Sequence, residues 1–243
     1  MNGCGLTDKG VRRSENQDYF HAQVNDDGQN GVFVICDGMG GAKAGEVASH
    51  LAAMTFIEAI GEIDLAQRAD LMGERLQNAV AEANREVYGV SQTDANCRGM
   101  GTTLVGALVS GNTVSIINVG DSRAYHITSQ GMNRITRDHS VVEDMIIRGN
   151  ITPEEAKNHP NKNLITRALG TESEIKGDLF TLALEPGERI LMCSDGLTNV
   201  VSEEDIFAEL VRGDDLEKNC EMLIHLAIAG GAPDNVTVVL FEV

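Results

Sequence analysis

Six short runs rich in Val, Ile and Leu, at 31–36, 102–109, 113–119, 122–128, 189–193 and 235–241, are bounded by Gly, Asn, Asp and Ser. Each is too short for a buried helix and of the right length for a strand, so the chain must build sheet to hide them. Several follow one another closely through turns such as Ser110-Gly111-Asn112, which is the spacing of antiparallel neighbours.

Between the first two runs lies a long stretch, from about 42 to 90, with a different period. Val47, Leu51 and Met54, then Leu76, Val80, Ala83 and Val87, recur at helical spacing and predict two helices. A second pair is expected near the C-terminus. Ser202 precedes Glu203, Glu204 and Asp205, an N-cap with an acidic first turn, and another helical pattern runs from about 215 to 229. Consecutive strands separated by helix pairs predict an α+β fold: a central antiparallel β-sandwich flanked on both sides by helix pairs, in four layers αββα. No repeat or Pro/Ser-rich linker interrupts it, so residues 1–243 are expected to form a single domain. Residues 139–169 carry short helical fragments and no strong strand pattern. Compact folds seldom hold so long a connection unless it covers a site, so this segment is expected to be a flap.

Four strand termini carry an aspartate: Asp37, Asp121, Asp195 and Asp234. A strand-end aspartate alone is more often a turn former than a ligand. Four of them in a chain with no other catalytic pattern could place oxygen ligands together at one edge of the sheets. Asp37 is followed by Gly38-Met39-Gly40-Gly41, where glycine lets the backbone turn sharply and uncover a carbonyl for a hard cation. A phosphate-binding loop is the competing reading. It fails because neither of the glycine-rich phosphate motifs is present and an acidic residue at the strand end would repel phosphate. An all-oxygen, carboxylate-rich site selects magnesium or manganese, and the histidines show no zinc spacing.

Charge narrows the partners. The formal net charge is −18, with 37 acidic against 19 basic residues, so nucleic acid and anionic lipid are repelled. The five cysteines have no C-x-x-C spacing and an odd count, which reads as reduced thiols in a cytoplasm; Cys36 and Cys193 end apolar runs and are expected to be small buried hydrophobes. No stretch approaches the about 18 apolar residues of a membrane span, and no export signal is visible at the N-terminus.

In order along the chain stand Asp8-x-Gly10-x-x-Arg13-x-x-Asn16-Gln17-Asp18, Asp37-Gly38-Met39-Gly40-Gly41, Gly101-Thr102-Thr103, Asn118-Val119-Gly120-Asp121-Ser122-Arg123-Ala124-Tyr125, Asp138-His139-Ser140, Ser194-Asp195-Gly196-Leu197 and Asp234-Asn235. Across essentially its whole length the chain resembles the metal-dependent protein phosphatase (PPM, type 2C) family, and most closely its compact bacterial members. The resemblance implies a serine/threonine protein phosphatase that uses two Mn2+ or Mg2+ ions to activate the attacking water. It implies that Asp37 bridges the metals, that the Gly38 carbonyl and, through water, Asp18 serve one, and that Asp195 and Asp234 hold the other. A third metal would sit near the flap on Asp121 and Asp195, and Arg13 would clamp the substrate phosphate. Gln17 departs from the pattern, since many relatives carry an acidic residue there. The implied partners are a Ser/Thr protein kinase and its phosphorylated substrates, with no nucleic acid and no membrane, and the implied state is a cytoplasmic monomer. A non-catalytic phosphatase-like binding module would be expected to lack metal aspartates, and all are present. A narrower substrate, a phosphorylated anti-sigma-factor antagonist, would fit a chain with a sensor domain better than this one. Among the histidines, His139 is the one expected nearest the flap; none is assigned as the general acid.

Overall fold

The computed structural model describes residues 1–41, 43–61, 71–213 and 215–243. In chain order its strands are β1 (Asn2–Asp8), β2 (Asp18–Val24), β3 (Asn30–Met39), β4 (Gly101–Thr102), β5 (Leu104–Ser110), β6 (Thr113–Val119), β7 (Arg123–Thr128), β8 (Gly131–Arg134), β9 (Asp178–Ala183), β10 (Arg189–Cys193) and β11 (Val236–Glu242). Its helices are α1 (Ala44–Ile60), α2 (Met72–Thr93), α3 (Val141–Ile147), α4 (Pro153–Lys157), α5 (Asp195–Thr198), α6 (Glu203–Leu210) and α7 (Leu216–Ala229).

Two antiparallel sheets result. One runs β1-β11-β10-β7-β8 and the other β2-β3-β5-β6-β9, with β4 attached to β3. Phe33, Ile35, Val105, Ile116, Met192 and Phe241 fill the space between the sheets, where the rings of Phe33 and Phe241 stack with centroids 4.1 Å apart. The outer face of the second sheet packs against α1 and α2 through Val34, Leu104, Leu108 and Ile117. The outer face of the first packs against α6 and α7 through Leu191, Val238 and Leu240. The predicted αββα layering is therefore the observed one.

The strands the sequence did not disclose lack a continuous apolar run. β1 carries Gly3 and Gly5 on its inward face because aromatic rings occupy the space a side chain would take. A Cβ would come within 2.6 Å of the Phe33 ring at Gly3 and 2.5 Å of the Phe20 ring at Gly5. β9 alternates half-buried and exposed residues as the last strand of its sheet, a weaker pattern than the fully buried β10 and nearly fully buried β11. The predicted strand 102–109 divides at Thr103. Its N–H donates to the Asp37 carbonyl at 2.9 Å while its hydroxyl accepts from the Asp37 N–H at 3.0 Å, so a side chain replaces one rung of the ladder.

The stretch read as two helices forms α1 and α2, with Ala42 and residues 62–70 outside the described residues. On α2 the predicted Leu76, Val80, Ala83 and Val87 are all buried. On α1 the buried face differs from the predicted one. Ala44, Ala48, Ala52 and Ala53 face the core with Phe56 and Ile60, whereas Val47 is exposed. Small residues let this helix approach the sheet closely, and that preference outweighs the larger side chains. α6 starts at its predicted Ser202 cap and α7 within the predicted span from about 215 to 229. The Ser202 hydroxyl accepts from Asp205 N–H at 3.1 Å and the Asp215 carboxylate from Lys218 N–H at 3.2 Å.

Segment 139–169 contains α3 and α4 and is anchored at its base. Val141 N–H donates to Leu164 O at 2.9 Å and Thr166 N–H to His139 O at 2.7 Å, which ties the outgoing chain to the returning one.

Candidate functional site

β2 and β3 pair so that Asp18 stands directly opposite Asp37. Asp195 opens α5 immediately after β10, Asp121 follows β6, and Asp234 lies just before β11. Pairing of β10 with β11 and of β2 with β3 thus brings strand ends from both sheets to one end of the sandwich. The charges of Asp18, Asp195, Asp121 and Asp234 all act on Asp37.

Asp18 is buried. Its Oδ2 accepts hydrogen bonds from Ser194 Oγ at 2.8 Å and Thr237 Oγ1 at 2.6 Å, while its Oδ1 is buried with no partner among the described residues. Ser194 also accepts from Thr237 N–H at 3.0 Å, so the two hydroxyls that hold Asp18 come from β11 and from the turn before α5. Asp195 accepts from Asn199 Nδ2 at 2.9 Å through Oδ2, and its Oδ1 too is buried with no partner among the described residues. Asp234 accepts from Arg13 Nη2 at 2.7 Å through Oδ2 and from Asn235 N–H at 2.9 Å through Oδ1. Asp121 lies beside Ser122, whose hydroxyl meets that of Thr103 at 2.7 Å.

Burial dominates the electrostatics. It pushes the Asp18 carboxyl up to about 7, with the Thr237 and Ser194 hydrogen bonds opposing and the charges of Asp195 and Asp234 adding. It raises Asp121 to about 7, aided by Asp195 and Asp138, and Asp195 to about 6, aided chiefly by Asp234. Asp37 is driven well above the ordinary carboxylate range, first by burial and then by all four neighbouring aspartates. Such a cluster is incomplete in cations by itself.

A carboxyl whose folded pKa is raised favours folding fully below its unfolded pKa, and that contribution is lost as pH rises through the folded value. For Asp18 the window runs from about 4 to about 7. In Asp18→Asn the amide oxygen still accepts both hydroxyls and the charge is gone. With chelator present, Asp18→Asn should therefore melt above wild type at pH 8, and the difference should vanish by pH 4. Thermal melts across pH check this, and a variant less stable at every pH would contradict the account.

The backbone near Asp37 is as constrained as the carboxylates. Gly38 is buried and its N–H donates to Gln17 O at 3.0 Å; a Cβ there would lie 2.0 Å from Gly45 O and 2.7 Å from Gln17 O. Gln17, the residue that departs from the resemblance pattern, has its own backbone work, since its N–H donates to Asn235 Oδ1 at 2.9 Å. Asn235 also donates through Nδ2 to Lys9 O at 3.0 Å and Glu15 O at 2.9 Å. One amide therefore pins the loop that carries Arg13.

Arg13 is half exposed and ion-paired to Asp234. His139 is buried at the base of segment 139–169. Its Nδ1 accepts from Gly120 N–H at 3.0 Å, and Nε2, the protonated nitrogen in that arrangement, faces Asp178 Oδ2 at 3.3 Å. Burial lowers its pKa, so this imidazole braces the Asp121 turn in neutral form. The residues that sequence reasoning left without a role are Ser194, Thr237, Thr103 and Asn235. The first, third and fourth stand inside quoted motifs, but Thr237 looks like any strand residue.

The donor set fits hard divalent cations. It is all oxygen, two of its buried carboxylate oxygens have no partner among the described residues, and the mutual repulsion of its carboxylates calls for positive charge. Among the described residues no three Asp, Glu, His or Cys side chains close into a cage by themselves. Ions held here would take part of their coordination from backbone carbonyl and water.

Fold and site together define a class, a four-layer αββα protein with a carboxylate-lined cation site at one end of its sandwich. Residues 9–216 match the family profile described as Protein phosphatase 2C. The serine/threonine phosphatase stp of Listeria monocytogenes serotype 4b (strain F2365) is 37% identical over 97% of this chain and 93% of its own length. The crystal structure of the Mycobacterium tuberculosis serine/threonine phosphatase PstP/Ppp superposes with a TM-score of 0.90 at 34% identity, covering 100% of this chain and 98% of that one. A crystal structure of the PstP catalytic domain in complex with two manganese ions has a TM-score of 0.83 at 34% identity, covering 99% and 97%. The chain belongs to the protein phosphatase 2C family.

Proposed function

We propose that this chain hydrolyses phosphoserine and phosphothreonine in proteins, with two Mn2+ or Mg2+ ions held by Asp37, the Gly38 carbonyl, Asp18, Asp195 and Asp234. The observation that carries the reading is the Asp37 cluster, in which a half-buried carboxylate feels the charge of four others. Two divalent cations bound there supply a water deprotonated near neutral pH and positive charge for the phosphoryl oxygens. Asp37, which stands opposite Asp18, would serve both ions. Asp18 is held by Ser194 and Thr237 and offers Oδ1, and Asp195 is held by Asn199 and offers Oδ1. Asp121 and Asp195 are the residues for a third ion beside segment 139–169, which acts as the flap of a single domain spanning residues 1–243.

Arg13 has two parts to play. Its guanidinium fixes Asp234 and, half exposed at the same end of the sandwich, is the cationic side chain of this set for an incoming phosphate. The expected partners are a Ser/Thr protein kinase and the proteins it phosphorylates, met in the cytoplasm by a monomer. Among the described residues no helix is long and apolar enough to cross a membrane.

The test is phosphate release from a phosphothreonine peptide by the purified protein with manganese, with magnesium and with excess chelator. Release that needs metal supports the reading; a folded protein silent with both ions would end it. In the same assay Arg13→Ala should raise KM about tenfold or more while kcat falls less, since the interaction lost is present in the ground state as well. An unchanged KM would remove Arg13 from the phosphate site.

A further inference from the structure

We propose that Cys4 and Cys220 form an oxidisable dithiol, a site at which a hydroperoxide converts two thiols into a disulfide joining β1 to α7. The two sulfurs lie 3.3 Å apart although 216 residues separate them in the chain. A bond of about 2 Å requires them to close by little more than about 1 Å.

The fold explains the meeting. Cys4 pairs in register with Leu240 of β11, and its neighbours Gly3 and Gly5 face the rings between the sheets. Alternation along β1 therefore turns Cys4 outward, against α7, where Cys220 is buried among Leu223, Ile224 and Leu240. Access is asymmetric. Cys4 is partly exposed, whereas Cys220 is buried, so an oxidant in solution reaches Cys4 first and Cys220 is the resolving thiol. The hydrogen bond shared with Cys220 lowers the Cys4 pKa against the opposing effects of burial and of Glu217 and Asp215. The remaining cysteines are different. Cys36, Cys97 and Cys193 are buried in the two helix-facing cores, and burial pushes Cys193 up to about 12. All three are buried, so an oxidant in solution reaches them less readily than it reaches Cys4.

With hydrogen peroxide the step balances. The Cys4 thiolate attacks one peroxide oxygen, the S–O bond forms as the O–O bond breaks, and the departing hydroxide takes the thiol proton and leaves as water. Cys220 sulfur then attacks the Cys4 sulfenic sulfur. The S–S bond forms, the S–O bond breaks, and the second hydroxide leaves as water with the Cys220 proton. Two thiols lose two electrons and one peroxide becomes two waters.

The bond would staple the two elements that lead into the Arg13–Asp234 ion pair. β1 ends at Asp8 and α7 at Ala229, and Val11 N–H donates to Ala232 O at 3.0 Å between them. Closing so long a loop restricts the unfolded chain, so the oxidised protein should melt at a higher temperature than the reduced one.

The experiment treats the folded full chain with hydrogen peroxide, quenches, and digests it without reductant. The expected result is a peptide joining Cys4 to Cys220, lighter by two hydrogens and separated by dithiothreitol, with a raised melting temperature before reduction. In Cys220→Ser the reaction should stop at Cys4 sulfenic acid, which dimedone traps. In Cys4→Ser, Cys220 should stay reduced. Absence of the joined peptide from folded wild-type protein, or oxidation of Cys4 to sulfinic acid without it, overturns the proposal.

Discussion

Asp37→Asn lowers turnover of a phosphothreonine peptide by about a thousandfold or more, while the metal-free protein at pH 8 is at least as stable as wild type. The two halves have one cause. Asp37 lies among Asp18, Asp121, Asp195 and Asp234, and its ionised form is disfavoured by burial and by each of them. A neutral isostere removes that repulsion and also removes the charge that two divalent cations would share. The local scaffold survives the change because it is backbone. Asp37 N–H donates to the Thr103 hydroxyl and Asp37 O accepts from Thr103 N–H and, at 2.9 Å, from the Thr102 hydroxyl. Steady-state kinetics with manganese and thermal melts with chelator measure the two effects independently. A variant keeping most of its activity would sink the assignment of Asp37; one that is inactive because unfolded would contradict the electrostatic account.

The second large effect is at Gly38. Gly38→Ala should destabilise the protein by about 3 kcal/mol or more and abolish activity, whereas Gly41→Ala should change stability by less than about 0.5 kcal/mol. A Cβ at Gly38 would stand 2.0 Å from Gly45 O and 2.5 Å from Gly45 C, atoms of the α1 backbone that cannot swing away as a side chain would. The strand and the helix must part, and the Gly38 carbonyl moves with them. Gly41 is exposed, and a Cβ there meets no described atom within 4 Å. Denaturant melts of both variants decide the matter, with equal losses at the two glycines counting against the close approach of β3 to α1.

How much of this was legible in the sequence varies by element. β3, β5, β6, β10 and β11 lie in the interior of their sheets, so water is excluded from most of both faces and apolar residues run almost without interruption. β1 and β9 end their sheets in the observed order, and their sequences hide them for different reasons. β1 gives up side chains at Gly3 and Gly5 to make room for Phe33 and Phe20, and β9 alternates. The α1 face departs from the one its larger side chains predict because a tight helix-to-sheet contact selects alanine.

The sequence by itself determined the layer order and singled out Asp37, Asp121, Asp195 and Asp234, because strand length, helical period and a strand-end aspartate are local properties that each short stretch carries alone, whereas Asp18 came only from the motifs of the resemblance. Only the tertiary structure decided which groups hold those carboxylates and which glycine is indispensable. Ser194 and Thr237 reach Asp18 across 176 and 219 residues, Asn235 reaches the Arg13 loop across 226 and 220, and Arg13 meets Asp234 across 221. Hydrogen bonds and ion pairs act over a few Å of space, and no periodicity in the chain records which distant residues the pairing of β2 with β3 and of β10 with β11 will bring within that range.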